Sequence, residues 1–180
     1  MLLQVKNLRK VFTVGLIKRR EIVAVNNVSF QVKPGEFLSL VGESGSGKTT
    51  TARMVLKLLQ PTSGSIMFEG RDVLGLRRLE ELRGYWRQVH GIFQDPYASF
   101  NPLHKIDRVL NQVFTLIEDS GVDRESMIKE ALREVGLPPG DVLGRYPHEL
   151  SGGQRQRIMV ARCYLLRPKL ILADEPISMI

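Results

Sequence analysis

Cysteine is almost absent from this sequence, because the 180 residues contain only Cys163. A lone cysteine forms no internal disulfide, and neither it nor the three histidines stand at the spacing of a zinc site. A disulfide-stapled secreted domain and a zinc module are therefore excluded. Cys163 lies inside a helical pattern, and we expect it to be a small buried hydrophobe of a protein in a reducing compartment.

Long apolar runs are absent as well. No segment reaches the roughly 18 apolar residues that a membrane-spanning helix needs. Residues 1–10 alternate apolar and polar side chains instead of forming a signal peptide, and no internal repeat or low-complexity segment occurs. If this protein serves a membrane, we expect it to do so as a peripheral subunit on the cytoplasmic face.

The charge is unbalanced, with 26 Lys and Arg against 19 Asp and Glu and a formal net charge of +7. One interpretation is a nucleic-acid or anionic-lipid partner. The other is a solvated basic surface with a site for a polyanion, and it is favoured because the basic residues are scattered. Only Lys18, Arg19 and Arg20 form a tight cluster, which we interpret as a hairpin or loop tip. We expect no nucleic-acid partner.

Strand and helix patterns alternate and predict an α/β fold with a mainly parallel sheet. The predicted strands are 3–12, 22–25, 28–32, 37–41, 65–68, 89–93 and 170–173, and the predicted helices are 48–59, 76–83 and 151–166. Residues 97–147 differ, because their apolar side chains recur at helical spacing and predict a helical insert. The positions with this spacing are Ile106, Val109, Leu110, Val113, Phe114, Ile117, Ile128, Leu132 and Val135.

A phosphate-binding loop is predicted at residues 42–49, Gly-Glu-Ser-Gly-Ser-Gly-Lys-Thr, between a predicted strand and a predicted helix. Glycines allow backbone N–H groups to point at phosphates, and the helix N-terminus carries about half a positive charge. Lys48 can reach the β- and γ-phosphates, and Thr49 can offer its hydroxyl to Mg²⁺. The residues predicted to bind nucleotide here are Gly42, Ser44, Gly45, Gly47, Lys48, Thr49 and Thr50.

Two acids follow the apolar segment 170–173, namely Asp174 and Glu175. A carboxylate at the end of a strand can hold the Mg²⁺ shell, which is the role we predict for Asp174. Glu175 would then lie near the γ-phosphate, where it can act as general base towards water. The alternative is a polar strand end before the helix-breaking Pro176.

A second helix N-terminus is predicted at Leu-Ser-Gly-Gly-Gln, residues 150–154. By itself this pattern is a capping box, with Ser151 as N-cap and Gln154 three residues later. Its two glycines also expose the helix N-terminus, which makes a second anion site.

These segments together resemble the ATP-binding cassette (ABC) ATPases. Residues 150–154 match that family's signature, 42–49 its Walker A motif, 170–175 its Walker B motif and Gln94 its Q-loop glutamine. The resemblance implies a P-loop NTPase core with a parallel sheet, an N-terminal antiparallel β subdomain and a helical insert. It also implies ATP and Mg²⁺ as cofactors.

The resemblance further implies a role for each matching position. Phe12 would stack on adenine, and Gln94 would contact the metal and the water and relay to the permease. Ser151, Gly153 and Gln154 would bind the ATP held by a second subunit, so that two such ATPases form a head-to-tail homo- or heterodimer. The predicted metal ligands are Thr49, Gln94 and Asp174, and the predicted catalytic residues are Gln94 and Glu175.

Within the family, residues 93–102 and 146–150 look like those of the dipeptide, oligopeptide and nickel importers. That subgroup combines two ATPases, two transmembrane permease subunits and an extracytoplasmic substrate-binding protein. The implied function is ATP hydrolysis that drives the import of peptides or related small solutes.

The chain departs from the family pattern at its end, since residues 176–180 resemble the start of the D-loop and no later histidine follows. His90, His104 and His148 all precede the Walker B segment, so none matches the switch histidine. We therefore expect residues 1–180 to be an incomplete ABC ATPase domain that is weakly stable and a poor ATPase by itself. Its expected parts are 1–96 (β subdomain and P-loop core), 97–147 (helical subdomain) and 148–180 (signature helix and Walker B strand).

Two alternatives remain open. One is a non-transport ABC ATPase of chromosome maintenance, repair or translation. Such relatives carry long coiled-coil arms, zinc cysteines or tandem cassettes. The other is an inactive fragment that binds a permease or nothing, and measurements of ATP binding and ATP-driven dimerisation separate it from an ATPase.

Overall fold

The computed structural model describes residues 1–15, 19–93, 100–117, 121 and 123–174. The chain divides into two units, Met1–Leu82 and Arg83–Ile180. Several predictions concern residues outside the described ones: Lys18 of the basic cluster, Gln94 and the rest of 94–99, and Glu175 with the residues after it.

The first unit is built on an antiparallel sheet with the strand order β2-β1-β3-β4. Its strands are β1 (Leu3–Val14), β2 (Arg20–Val32), β3 (Ser63–Phe68) and β4 (Arg71–Asp72). Leu3 and Val5 of β1 alternate with less buried neighbours, as a sheet with one buried face requires, and a register shift between Val5 and Leu8 makes Leu8 the next buried position. The expected N-terminal antiparallel subdomain is thus present.

Strand β2 joins two segments that the sequence predicts as separate strands. Asn27 lies between them with φ of 54°, and the register of β1 against β2 shifts near this point. Asparagine tolerates this left-handed conformation, so the irregularity bends the strand without ending it.

Helix α1 (Lys48–Val55) packs on the sheet with Met54 and Val55 fully buried. The apolar spacing predicts a helix as far as residue 59, and the structure shows that it ends earlier. Lys57 has φ of 59°, and the N–H groups of Leu58 and Leu59 both donate to the carbonyl of Arg53. This left-handed residue closes the helix before Pro61.

The second unit contains a parallel pair of strands, β5 (Val89–Ile92) and β6 (Leu170–Ala173), with Val89 opposite Leu170 and Ile92 opposite Ala173. Helix α2 (Leu79–Gln88) precedes β5 and begins three residues later than predicted. The Glu81 carboxylate accepts the backbone N–H groups of Arg77 and Arg78, both at 2.9 Å, so it fixes these residues before the helix starts.

Helices account for much of the described chain between β5 and β6, as predicted for the helical insert. They are α3 (Ile106–Asn111), α4 (Arg124–Glu134), α5 (Pro139–Val142) and α6 (Gly152–Leu166), with 3₁₀ turns at Gln112–Thr115 and Pro147–Glu149. The positions with helical spacing form the core of this unit: Ile106, Val109, Leu110, Val113, Phe114, Ile128 and Leu132 are buried, and Ile117 and Val135 are partly buried. Cys163 is buried there too, and burial raises the pKa of its thiol to about 11.

The prediction of a buried strand at residues 37–41 is wrong. Phe37 and Val41 are 93% and 94% exposed, and no strand is assigned at this run. A strand of a parallel sheet needs a neighbour that accepts its backbone hydrogen bonds. In the described part of the chain, the two sheets contain only β1 to β4 and the β5–β6 pair, so this run has no such neighbour.

A histidine and an arginine lie inside the second unit. Burial, with a smaller contribution from the positive charge of Arg162, lowers the pKa of His90 to about 4. Burial also lowers the pKa of Arg162. Among the described residues, none forms a hydrogen bond with the buried Nε2 atom of His90. The neutral imidazole is therefore the form that this fold accommodates.

The protein should lose stability in acid because His90 resists protonation. The unfolded chain binds a proton near pH 6.5, whereas the folded protein binds it only near pH 4. The unfolded state therefore binds more protons in this window, and stability falls as the pH falls. We expect this residue to lower the free energy of unfolding by up to about 3 kcal/mol between pH 7 and pH 4, as measured by urea titration.

Two variants distinguish the effect of His90 on the free energy of unfolding from the effect of the carboxylates, which also titrate in acid. His90→Gln should lose less unfolding free energy over this range than the parent protein. His104→Gln, at a histidine of the turn before α3, is the matched control for the loss of one imidazole. Equal losses in the parent and His90→Gln would contradict the assignment.

Candidate functional site

The predicted phosphate loop joins the exposed run after β2 to helix α1. Gly47 is the N-cap of α1 with φ of 92°, and Gly45 has φ of 81°. The Ser46 N–H donates to the Glu43 carbonyl at 3.1 Å, which folds the loop back on itself. Such left-handed turns place successive N–H groups on the inner side of a loop, which is the geometry that anions bind.

Gly47 also meets a tight steric requirement. A Cβ atom at this position would lie 2.3 Å from the Ala24 carbonyl oxygen and 3.0 Å from Cγ2 of Val25, both on β2. Only glycine allows β2 and the start of α1 to approach so closely. At Gly45, by contrast, an added Cβ would meet open space, so the constraint there is the backbone angle alone.

The Lys48 ammonium lies across the loop. Its Nζ atom donates to the carbonyls of Gly42 and Glu43, at 2.6 and 2.8 Å, and lies 3.5 Å from the Ser46 hydroxyl. These partners are uncharged, so the positive charge remains for an anion that enters the loop.

The start of α1 adds to this positive potential. In this fully described helix, no side chain caps the N-terminus and no acidic residue lies in the first turn. Thr49 and Thr50 occupy that turn and are partly exposed, whereas Ser44 lies in the exposed part of the loop. The predicted phosphate-binding residues are thus contiguous at one helix N-terminus, which suits a phosphate chain.

Phe12 lies near the end of β1 and is 37% exposed. It is paired with Ile22 of β2, which is also exposed. The Lys10 Nζ atom lies 5.0 Å from the centroid of the Phe12 ring, and it donates to the Gln60 carbonyl at 2.7 Å. Sequence reasoning missed Lys10, although residues two apart on a strand share a face and this spacing was a usable signal.

The strand that carries Phe12 is tied to the segment that follows α1. The Val11 N–H donates to the Thr62 hydroxyl at 2.9 Å, and the Thr62 N–H donates to the Arg9 carbonyl at 2.8 Å. Together with the contact of β2 at Gly47, these bonds hold both ends of residues 47–62, called the α1 segment because they contain that helix, against the β1–β2 hairpin. The first unit therefore contains both the aromatic ring and the phosphate loop.

The predicted capping box at the start of α6 is confirmed. The Gln154 N–H donates to the Ser151 hydroxyl at 3.2 Å, and the Ser151 N–H donates to Oε1 of Gln154 at 2.9 Å. Gly152 and Gly153 form the first turn, which contains no acidic residue. A helix of 15 residues thus begins at two glycines without a negative charge, as an anion-binding helix N-terminus requires.

Asp174 directly follows β6 and is partly buried. Its N–H donates to the Ile92 carbonyl at 2.8 Å, which extends the parallel pairing to the carboxyl end of the strand. Thr49, the other predicted metal ligand described, belongs to the first unit. No group of three or more His, Cys, Asp or Glu that could hold a metal lies among the described residues.

The chain is similar to a known protein family and to transport ATP-binding proteins over most of its length. The family described as ABC transporter matches residues 25–178. The chain is 41% identical to the oligopeptide transport ATP-binding protein AppF of Bacillus subtilis, and this match covers 98% of the chain and 55% of that protein. It is 43% identical to the probable peptide ABC transporter ATP-binding protein y4tS of Sinorhizobium fredii, over 98% of the chain and 51% of that protein. The chain therefore spans about half the length of these relatives.

Solved structures agree with the sequence comparison. The dimeric structure of a post-hydrolysis state of the ATP-binding cassette MJ0796, bound to ADP and Pi, matches with a TM-score of 0.86 and 30% identity. The match covers 99% of this chain and 76% of that one. In the described residues, no helix has the length and apolarity to cross a bilayer.

Gly47→Ala should destabilise the protein strongly. The new side chain would be strained at a φ of 92° and would overlap the Ala24 carbonyl oxygen. We expect the free energy of unfolding to fall by more than about 2 kcal/mol in urea titrations. Gly84→Ala is the matched control, because an added Cβ there meets nothing within 4 Å. It should leave stability within about 1 kcal/mol of the parent or raise it. Similar losses in both variants would show that the close approach at Gly47 is unimportant.

Proposed function

The chain belongs to the ABC transporter family, and on that basis we propose that it binds and hydrolyses ATP to drive the import of peptides through a membrane permease. The observation that carries the proposal is the phosphate loop, in which the Lys48 ammonium lies against uncharged carbonyls in front of an uncapped helix N-terminus. The names of the relatives, oligopeptide and peptide transport proteins, support peptides as the cargo.

The residues of the first unit would hold the nucleotide. Lys48 and the N–H groups of the loop bind the phosphates, and the exposed ring of Phe12 offers its face to adenine. Ser44 and Gly45 of the loop and Thr50 at the start of α1 would bind the phosphates too. Thr49 of the first unit and Asp174 of the second unit are the described positions that match the family's Mg²⁺ ligands, and the ion would offset the negative charge of the phosphates.

Two residues outside the described part of the chain complete the proposed chemistry. Glu175 directly follows Asp174 and would act as general base towards the attacking water. Gln94 would contact both the metal and this water and would relay the state of the site to the permease. Their support is the match of the sequence to the family's motifs, with Asp174 described at the end of β6.

A second ABC ATPase, identical or related, would complete each site. The start of α6 carries an exposed hydroxyl at Ser151, two glycines and no negative charge, so it suits the γ-phosphate of ATP held by the other copy. The similar cassette MJ0796 forms a dimer in its solved structure, which supports such a pair. The pair would bind permease subunits at the cytoplasmic face of the membrane, and a substrate-binding protein would act with it indirectly.

Lys48→Ala should abolish tight binding of MgATP. The variant removes the cation that crosses the loop, and we expect at least about a tenfold loss of affinity in calorimetric titrations. Lys129→Ala is the control, because Lys129 forms an exposed i,i+4 pair with Glu125 on α4. A parent protein that folds and does not bind MgATP would contradict the proposal and support the inactive alternative.

Ser151→Asp and Ser151→Asn form a matched pair that tests the second helix N-terminus. Both side chains cap a helix well, so α6 should persist in each. Aspartate places a negative charge where the γ-phosphate would lie, whereas asparagine keeps an N–H donor there. Sedimentation in MgATP should therefore show a dimer for the Asn variant and a monomer for the Asp variant, while both bind ATP. Equal dimerisation of the two variants would exclude this role for Ser151.

A further inference from the structure

We propose that Lys10 is a positioning residue for nucleotide binding, which holds one face of the Phe12 ring and leaves the other face to the base. The inference rests on the proposed binding of ATP and deepens it. It assigns a role to a side chain that matches none of the motifs and that lies between the ring and the α1 segment.

The contacts of Lys10 define this role. Its Nζ atom lies 5.0 Å from the centroid of the Phe12 ring, which is within the range of about 6 Å for a cation–π contact. The same atom donates to the Gln60 carbonyl at 2.7 Å. The Lys10 ammonium is therefore fixed by the Gln60 carbonyl, 50 residues further along the chain. In this position its charge faces the Phe12 ring.

An exposed aromatic ring at the end of a strand has more than one rotamer available. Only a ring that faces the base contributes to binding, so the apparent affinity falls with the fraction of rings in that orientation. A cation anchored at the carbonyl favours the ring orientation that it contacts. A contact of this kind at a partly exposed site changes such a population by about two- to fivefold.

The cation also changes the character of the free face. Aromatic faces carry partial negative charge and repel one another when they stack directly. A positive charge at one face of Phe12 draws electron density towards itself, which lowers the negative charge at the other face. The free face thus becomes a better partner for adenine.

The backbone around Lys10 is held independently of its side chain. The Thr62 N–H donates to the Arg9 carbonyl, and the Val11 N–H donates to the Thr62 hydroxyl, at 2.8 and 2.9 Å. β1 is also paired with β2 at Lys10 and at Val11. A substitution of the Lys10 side chain should therefore leave the strand in place and affect the ring.

Two substitutions separate charge from packing. Lys10→Met keeps a long unbranched side chain and removes the ammonium, whereas Lys10→Arg keeps a cation over the ring. Each protein is titrated with MgATP and, separately, with inorganic tripolyphosphate, which has no base. We expect Lys10→Met to bind MgATP about two- to fivefold more weakly and tripolyphosphate as tightly as the parent. Lys10→Arg should restore the affinity for MgATP.

The Phe12 ring supplies a second test that does not depend on the stability of one variant. In a Phe12→Leu background, Lys10→Met should cause no further loss of MgATP affinity, because its effect passes through the ring. A full additive loss in the double variant would overturn the proposal. An unchanged MgATP affinity in Lys10→Met, or an equal loss for tripolyphosphate, would overturn it too.

These outcomes are distinct from failure of the proposed function. If the parent protein binds neither MgATP nor tripolyphosphate, nucleotide binding itself is wrong and the role of Lys10 falls with it. If the parent binds both, and Lys48→Ala weakens both, nucleotide binding stands whichever result the Lys10 variants give.

Discussion

The close approach of Gly47 to the Ala24 carbonyl is the constraint on which the first unit depends. A Cβ atom at residue 47 would lie 2.3 Å from this oxygen. Only glycine therefore lets β2 contact the chain at the point where the phosphate loop leads into α1. With the bonds of Thr62 and Lys10 at the far end of the α1 segment, it fixes the loop relative to the β1–β2 hairpin. The fold therefore sets the distance between the Phe12 ring and the phosphate loop. A rigid spacing of this kind lowers the entropy that is lost on binding a ligand with two distant ends.

The second unit supplies a different element, a helix N-terminus that is capped by its own side chains. The Ser151–Gln154 capping box satisfies two of the N–H groups at the start of α6, and the apolar face of this helix enters the helical core through Ile158, which is fully buried. The start of α6 is therefore positioned by packing along its length.

Much of this architecture is predictable from local sequence. The phosphate loop, the capping box and β6 each follow from residues adjacent in the chain, and apolar spacing identifies the core positions from Ile106 to Leu132. Residues 37–41 show where such reasoning fails, because an apolar run favours a buried strand but does not supply the neighbouring strand, and Phe37 and Val41 are exposed. The contact of Lys10 with Gln60 was unpredictable for a related reason. It joins residues 50 positions apart, and only the folded chain brings them together.

The hydrogen bonds that Ser151 already forms determine which ligand groups it can bind. A hydroxyl has one hydrogen to donate, and its oxygen already accepts the Gln154 N–H. The cap uses the oxygen and leaves the hydrogen, so one side chain can close the helix and still donate to a ligand. A threonine would preserve both capacities, an aspartate would lose the donor, and an alanine would lose both. The chemistry of the cap thus limits which residues can serve at this helix start.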